Sequence, residues 1–89
     1  MNNRKRTAII KALTKAGWSE VIMTDYLEDG DLHLSGETWV EDLGMAGDYY
    51  QEFGFGNGDG ISLDIDKILK KYNTYAEWWN AGVISIIAY

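Results

Sequence analysis

The sequence of 89 residues contains no cysteine and no proline, and its single histidine is His33. Without cysteine, the chain has no disulfide bond, no thiolate metal ligand and no cysteine nucleophile. A single imidazole also excludes a zinc site built from several histidines, so we expect no metal site. Because neighbouring side chains point to opposite faces of a strand, we expect His33 to point away from Leu32 and Leu34, toward solvent.

Long apolar runs are missing as well. The longest run, residues 83–89, has seven residues and includes Ser85, far fewer than the ~20 that a membrane helix needs. The N-terminal apolar stretch is interrupted by Lys11 and Lys15, unlike the apolar core of a secretory signal. We therefore expect a cytoplasmic protein that does not contact a membrane.

The sequence also lacks the common catalytic motifs. It has no Gly-x-Ser-x-Gly nucleophile elbow, no His-Glu-x-x-His pair and no phosphate-binding lysine after its glycines. Paired carboxylates can hydrolyse a glycoside, but that reaction needs a substrate cleft, which a chain this short seldom encloses. We predict that the protein is not an enzyme and uses no cofactor.

Basic residues are absent from the middle of the chain. Residues 20–66 contain thirteen of the fourteen acidic residues and no lysine or arginine, whereas residues 1–19 contain five basic residues and no acid. Crowded like charges raise the energy of a compact state, and an acidic surface repels nucleic acid and attracts basic surfaces. The charge pattern therefore predicts a basic protein partner and no direct binding to nucleic acid.

The composition is otherwise strongly apolar and aromatic. Hydrophobic residues make up 46% of the chain, which includes four Trp, six Tyr and two Phe. A chain of this length buries about 60–65% of the surface that its unfolded form exposes, so it must pack densely. We predict a single compact acidic domain that spans residues 1–89.

The spacing of apolar residues predicts the first helix. Between residues 9 and 16 they recur at the helical period, and Gly17 fits the left-handed residue that often follows a helix. Residues 19–29 allow two interpretations. They form either a second helix or a strand that turns at Asp29–Gly30 into a partner strand at 32–34. Their apolar spacing favours the helix.

Further short helices are predicted from terminal signals. The Thr-x-x-Glu patterns at 38–41 and 74–77 match the capping box, in which the threonine and glutamate side chains satisfy free backbone N–H groups. Residues 66–72 begin with an acid and contain two lysines near their end, which suits the helix dipole.

Two strand signals complete the predicted fold. Apolar residues alternate on both sides of the glycine-rich turn at 56–60, which predicts a hairpin at about 49–65. Residues 83–89 are apolar on both faces, which is typical of a buried strand. We predict an α+β fold: a small, mostly antiparallel sheet formed by this hairpin and the C-terminal strand 83–89, with three or four short helices.

The glycine-rich turn also resembles an EF-hand calcium loop. Asn57, Asp59 and Asp66 fit three of the ligand positions, but Phe55 occupies the position of the first carboxylate ligand. The spacing favours a hairpin, and a calcium-binding module remains an alternative.

A short acidic chain without cysteine that is rich in Tyr and Trp resembles the small phage and mobile-element inhibitors of restriction or CRISPR enzymes. Residues 37–65 contain Asp42-Leu43, Gly47-Asp48-Tyr49 and Asp59-Gly60-Ile61. This pattern resembles the C-terminal module of DNA-mimicking antirestriction proteins over about a third of the chain. The resemblance implies an inhibitor that blocks the DNA-binding surface of its target inside a host cell.

The sequence therefore predicts a small acidic inhibitor that binds a basic surface of a nucleic-acid-processing protein. The alternative is a protein-binding module of another class, such as an immunity or antitoxin-like partner. Tyrosine and tryptophan near the acids are candidate anchors, because buried aromatic side chains dominate many interfaces. The predicted partner-binding residues are Glu28, Asp29, Asp31, Glu37, Glu41, Asp42, Asp48 and Glu52.

Overall fold

The computed structural model describes residues 1–23, 32–51 and 54–89. In chain order these form α1 (Asn3–Ala16), a 3₁₀ turn (Ser19–Val21), β1 (Ile22–Met23), β2 (Leu32–Ser35), β3 (Trp39–Val40), β4 (Gly44–Met45), α2 (Leu63–Lys70), β5 (Thr74–Asn80) and β6 (Val83–Ala88). The four strands β1, β2, β6 and β5 lie in that order in an antiparallel sheet, and β3 pairs with β4. The fold belongs to the α+β class, as predicted.

Helix α1 forms where the apolar spacing predicts it. The side chain of Asn2 caps the helix by accepting a hydrogen bond from the Lys5 N–H at 2.8 Å. Gly17 ends the helix with a φ of 107°, a left-handed conformation that side chains other than glycine rarely adopt.

One face of the four-stranded sheet packs against the helices. The register pairs Leu34 with Ile84 and Leu32 with Ile86, so alternate residues of β2 and β6 form a continuous apolar surface. We call this surface the helix-covered face. It forms one buried cluster with residues of both helices, and its buried members are Leu32, Leu34, Ala76, Ile84 and Ile86, packed with Ile9, Leu13, Ile65 and Leu69.

The predicted number of helices is wrong. Within the described residues there are two α-helices, not three or four. Both capping-box segments are strands: residues 39–40 lie in β3 and residues 74–80 in β5. Thr38 Oγ1 donates to Ser35 Oγ at 2.8 Å and Thr74 Oγ1 donates to the Leu69 carbonyl at 2.8 Å. Each hydroxyl thus bonds to a residue earlier in the chain and does not cap a helix that follows it. In β5 the aromatic residues also favour a strand.

The predicted hairpin at 49–65 is also wrong. Gly47 and Ile61 form an isolated bridge, and no regular strand lies between them in the described residues. Gln51 and the four glycines from 54 to 60 at even positions have positive φ, so the chain turns repeatedly where alternation suggested extended strands. Helix α2 begins at Leu63 after Ser62, three residues before the predicted start at Asp66.

The C-terminal strand is confirmed, because β6 spans Val83–Ala88 within the predicted range 83–89. For residues 19–29 the helical interpretation is wrong at Ile22–Met23, which form β1 and pair with Leu34 and His33 of β2. The predicted turn at Asp29–Gly30 lies outside the described residues.

The predicted surface position of His33 is wrong. His33 is only 2% exposed and lies in β2, a central strand of the sheet. It does point away from the helix-covered face, as alternation requires. That opposite face is nevertheless buried at its centre, where Val83 and Ser85 are also buried.

Candidate functional site

Four of the eight predicted partner-binding residues lie in the described part of the chain. Glu37, Glu41 and Asp42 are exposed and Asp48 is half-buried. They belong to one segment that contains the β3–β4 hairpin and the turn after it. We call residues 37–50 the acidic–aromatic segment. The other predicted contacts, Glu28, Asp29, Asp31 and Glu52, lie outside the described residues.

The same segment presents exposed aromatic side chains. Trp39 is 59% exposed, Tyr50 is 73% exposed and Tyr49 is also exposed. The Tyr49 and Tyr50 rings pack edge to face with centroids 5.1 Å apart. Exposed aromatic residues beside carboxylates are typical of protein interfaces, in which large rings act as anchors.

Trp78 of β5 fixes the base of this segment. Its indole N–H donates to the Asp59 carbonyl oxygen at 2.6 Å. Its ring packs edge to face with Tyr49 at a centroid distance of 5.2 Å. The side chain lies on the helix-covered side, because its register partner is Ile84. Trp78 therefore connects the segment to the core cluster, against which it packs.

Two glycines make room for the Trp78 ring. A Cβ atom on Gly36 would collide with the ring, and a Cβ on Gly47 would lie 2.6 Å from its Cη2 atom. These glycines occur just before and after the β3–β4 hairpin. The hairpin is thus held at both ends against one indole ring, and larger residues at either position would displace it.

Backbone hydrogen bonds also hold the segment. The Ala46 N–H donates to the Thr38 carbonyl at 3.1 Å, and the Ser62 N–H donates to the Ala46 carbonyl at 2.9 Å. The Asp48 N–H donates to the Gly60 carbonyl at 2.6 Å. The first bond lies within the segment, and the other two join its C-terminal part to the residues that precede α2.

In the part of the chain that the structure describes, the exposed carboxylates of this segment have no basic partner. Residues 16–66 contain no lysine or arginine, and within the described ranges no basic side chain pairs with Glu37, Glu41 or Asp42. Asp66 differs, because it forms an ion pair with Lys70 at 3.3 Å. Glu37, Glu41 and Asp42 therefore form a negative surface that a basic partner can approach without first breaking an ion pair within the described residues.

The glycine-rich turn is organised around an amide side chain. Asn57 Oδ1 accepts hydrogen bonds from the Asp59 N–H at 3.0 Å and the Ile61 N–H at 3.4 Å. Asn57 Nδ2 donates to Asp66 Oδ1 at 3.4 Å. Asp66 is thus bonded to two donors, Asn57 and Lys70. Among the described residues no group of three or more acidic or histidine side chains is arranged to hold a metal ion.

The basic residues of the N-terminus lie on α1. Arg4, Lys11 and Lys15 are exposed on the side of the helix away from the buried Ile9 and Leu13. Arg4, Lys11 and Lys15 therefore form an exposed basic surface on α1.

The role of Trp78 in this site is not visible in the sequence. The capping-box pattern at 74–77 predicts a helix that continues through Trp78, and such a helix gives no indication of the contacts of Trp78 with Gly36 and Gly47. The two glycines show only as breaks in the sequence pattern, and nothing in it indicates that they face the same ring.

Comparison of the chain with protein families, curated protein sequences and solved structures finds no match in any of the three. In the described ranges, neither helix has the length and apolar character required to cross a bilayer.

Proposed function

We propose that the protein is a small acidic inhibitor that uses the acidic–aromatic segment to bind a basic surface of a nucleic-acid-processing enzyme. The observation that carries the proposal is the arrangement at residues 37–50. Glu37, Glu41 and Asp42, which pair with no basic side chain of the described residues, share with exposed aromatic rings a segment that Trp78 fixes to the core.

The two kinds of side chain have different roles in this proposal. The carboxylates attract the basic surface and accelerate the encounter, an effect that added salt screens. Tyr50 and Trp39 supply apolar area that loses water on contact and holds the complex together. A protein surface that binds nucleic acid is basic, and it often contains exposed aromatic and arginine side chains that stack on the bases. Such a surface can attract the carboxylates of the segment and pack against its aromatic rings.

The fixed geometry also supports the proposal. Binding orders flexible side chains at a cost of roughly 0.5–1.5 kcal/mol each. Tyr49 is already held against both Trp78 and Tyr50. The aromatic part of the surface therefore loses less conformational freedom on binding than free loop residues would.

The proposal is tested by affinity capture from bacterial lysates, followed by competition with duplex DNA. We expect the captured protein to be a nucleic-acid enzyme that duplex DNA releases from the immobilised chain, because both occupy the same basic surface. The free protein itself should give no gel shift with duplex DNA at low salt. Capture of a protein whose binding is indifferent to DNA, or tight DNA binding by this chain, would contradict the proposal.

A further inference from the structure

Helix α1 presents a straight row of basic side chains to solvent. Arg4, Lys11 and Lys15 are all exposed, and at 3.6 residues per turn they lie within about 40° of one another around the helix axis. Among the described residues, no carboxylate pairs with any of the three. We call these three residues the basic row. It is an unpartnered helix face that extends ~16 Å, opposite the side that buries Ile9 and Leu13.

The C-terminal end of the basic row lies near the acidic β3–β4 hairpin. Gly17 ends α1, and a Cβ atom placed on it would lie 2.9 Å from Leu43 Cδ1. Lys15 is two residues before Gly17, and Asp42 is the residue before Leu43. Chain geometry therefore places the Cα atoms of Lys15 and Asp42 within ~18 Å of each other. Both side chains are exposed, and neither has an ion-pair partner in the described part of the chain.

A second copy of the chain carries the charges that match this surface. When one copy is turned by 180° about an axis between the two regions, its acidic hairpin faces the basic row of the other copy. Its own basic row then faces the other acidic hairpin. Every contact in such an interface forms twice, and the charges that meet are opposite. The ring of Trp39, in the same hairpin, is 59% exposed and adds apolar area that can lose water.

We propose that two copies of the chain form a two-fold symmetric dimer, in which the basic row of each copy binds Glu41 and Asp42 of the other. Charge complementarity selects a second copy as the occupant, because residues 1–19 contain no acid and the hairpin contains no lysine or arginine. The dimer does not depend on the function proposed above. It covers the same acids, however, so dimer formation and binding of a basic target exclude each other.

The net charge of −6 opposes this association, but it acts over a longer distance than the ion pairs do. The chain is at least 21 Å across, so the centres of two copies lie about two Debye lengths apart at 0.1 M salt, where their repulsion is largely screened. Ion pairs across the interface lie well within one Debye length. At about 1 M salt the Debye length falls to ~3 Å, and the pairs are screened as well.

The first test is sedimentation equilibrium of the purified, unaltered chain. At about 0.2 mM protein and 0.1 M salt, we expect a weight-average mass above that of one chain, which rises toward that of two chains with concentration. At about 1 M salt the Kd of the dimer should increase at least about tenfold. This measurement uses no variant, so it does not depend on whether a substituted chain folds.

Two charge-reversal variants locate the interface. Lys11→Glu, Lys15→Glu makes both parts of the surface acidic, and Glu41→Lys, Asp42→Lys makes both basic. All four side chains are exposed. Each variant alone should stay monomeric, because like charges now meet across the interface. An equimolar mixture should form a dimer at least about tenfold tighter than that of the unaltered chain, because every pair is again opposite.

The matched control is Lys67→Glu, Lys71→Glu, which reverses two exposed lysines outside the proposed interface. It should dimerise like the unaltered chain and should not associate with Glu41→Lys, Asp42→Lys. Each double reversal changes the net charge of −6 by four, so all three variants stay net negative. Attraction between net charges therefore does not explain association in the mixture.

Three results would overturn the proposal. The first is a monomeric unaltered chain at about 1 mM protein and 0.1 M salt. The second is a dimer that both reversal variants still form alone, which would place the interface on another surface. The third is a mixture of the two variants that stays monomeric or grows beyond two chains. None of these results bears on the proposed function, because a target supplies its own basic surface.

Discussion

The helix-covered face and the acidic–aromatic segment are held together in different ways. The first is a continuous set of buried aliphatic side chains from two helices and the central strands. The second has little regular structure and depends on the Trp78 ring, two small glycines and a few backbone hydrogen bonds. Stability is thus concentrated in one region and exposed charge in the other. Substitutions should therefore separate folding from binding.

The largest expected effect is in the helix-covered face. Leu34→Ala removes a fully buried side chain between Ile22 and Ile84, and should reduce the free energy of unfolding by about 2–5 kcal/mol. Leu63→Ala, the same change at an exposed position of α2, should cost less than about 0.5 kcal/mol. Urea denaturation of both variants checks this. Similar losses in the two variants would mean that the core has been assigned to the wrong residues.

A smaller effect is expected at Trp78. Trp78→Phe removes the hydrogen bond to the Asp59 carbonyl and leaves space beside Gly36 and Gly47. The expected loss in unfolding free energy is about 1–3 kcal/mol. Amide hydrogen exchange should accelerate at Ala46 and Asp48 more than in β6.

The control for this prediction is Trp79→Phe, which changes the neighbouring exposed indole in the same strand. Its exchange rates at Ala46 and Asp48 should match those of the unaltered protein. If both variants accelerate these amides equally, Trp78 does not hold the segment in the way described.

Charge reversal in the segment should affect stability less still. The double variant Glu41→Lys, Asp42→Lys changes two exposed side chains that have no basic partner in the described structure. Because it also relieves repulsion among the acids, we expect the unfolding free energy to stay within about 0.5 kcal/mol or to rise. A loss of several kcal/mol in urea denaturation would show that these carboxylates support the fold.

The smallest expected effect is that of calcium. Asn57 Nδ2 faces Asp66, and the backbone donors of Asp59 and Ile61 already bond to Asn57 Oδ1. Millimolar calcium should therefore raise the melting temperature by less than about 1 °C. A rise of many degrees that Asp59→Ala abolishes would restore the calcium-loop interpretation.

Local sequence patterns predicted those elements whose signals agree with their tertiary contacts. Helix α1 has a regular apolar stripe and a glycine at its end, and β6 has apolar residues on both faces. Both formed as predicted. Glu37, Glu41 and Asp42 are exposed, as is usual for carboxylates without a buried partner, and their role in binding stays a prediction.

The predictions that failed depend on contacts distant in sequence. Thr38 and Thr74 have the spacing of capping boxes, but each hydroxyl finds a partner elsewhere in the fold. Alternation at 49–65 predicts strands, whereas the positive φ of the glycines at 54, 56, 58 and 60 turns the chain repeatedly, and the Asp59 carbonyl accepts a hydrogen bond from Trp78. His33 was placed at the surface because one strand does not reveal that its outer face is also buried.

The most direct test of the account measures binding of the captured target and folding in the same variants. Glu41→Lys, Asp42→Lys is compared with Glu20→Lys, Asp64→Lys, which reverses two exposed acids outside the segment. We predict that the first variant loses target binding at about 0.15 M salt while the second keeps it. Both should remain folded by urea denaturation. Equal affinity of the two folded variants for the target would contradict the claim that residues 37–50 are the binding surface.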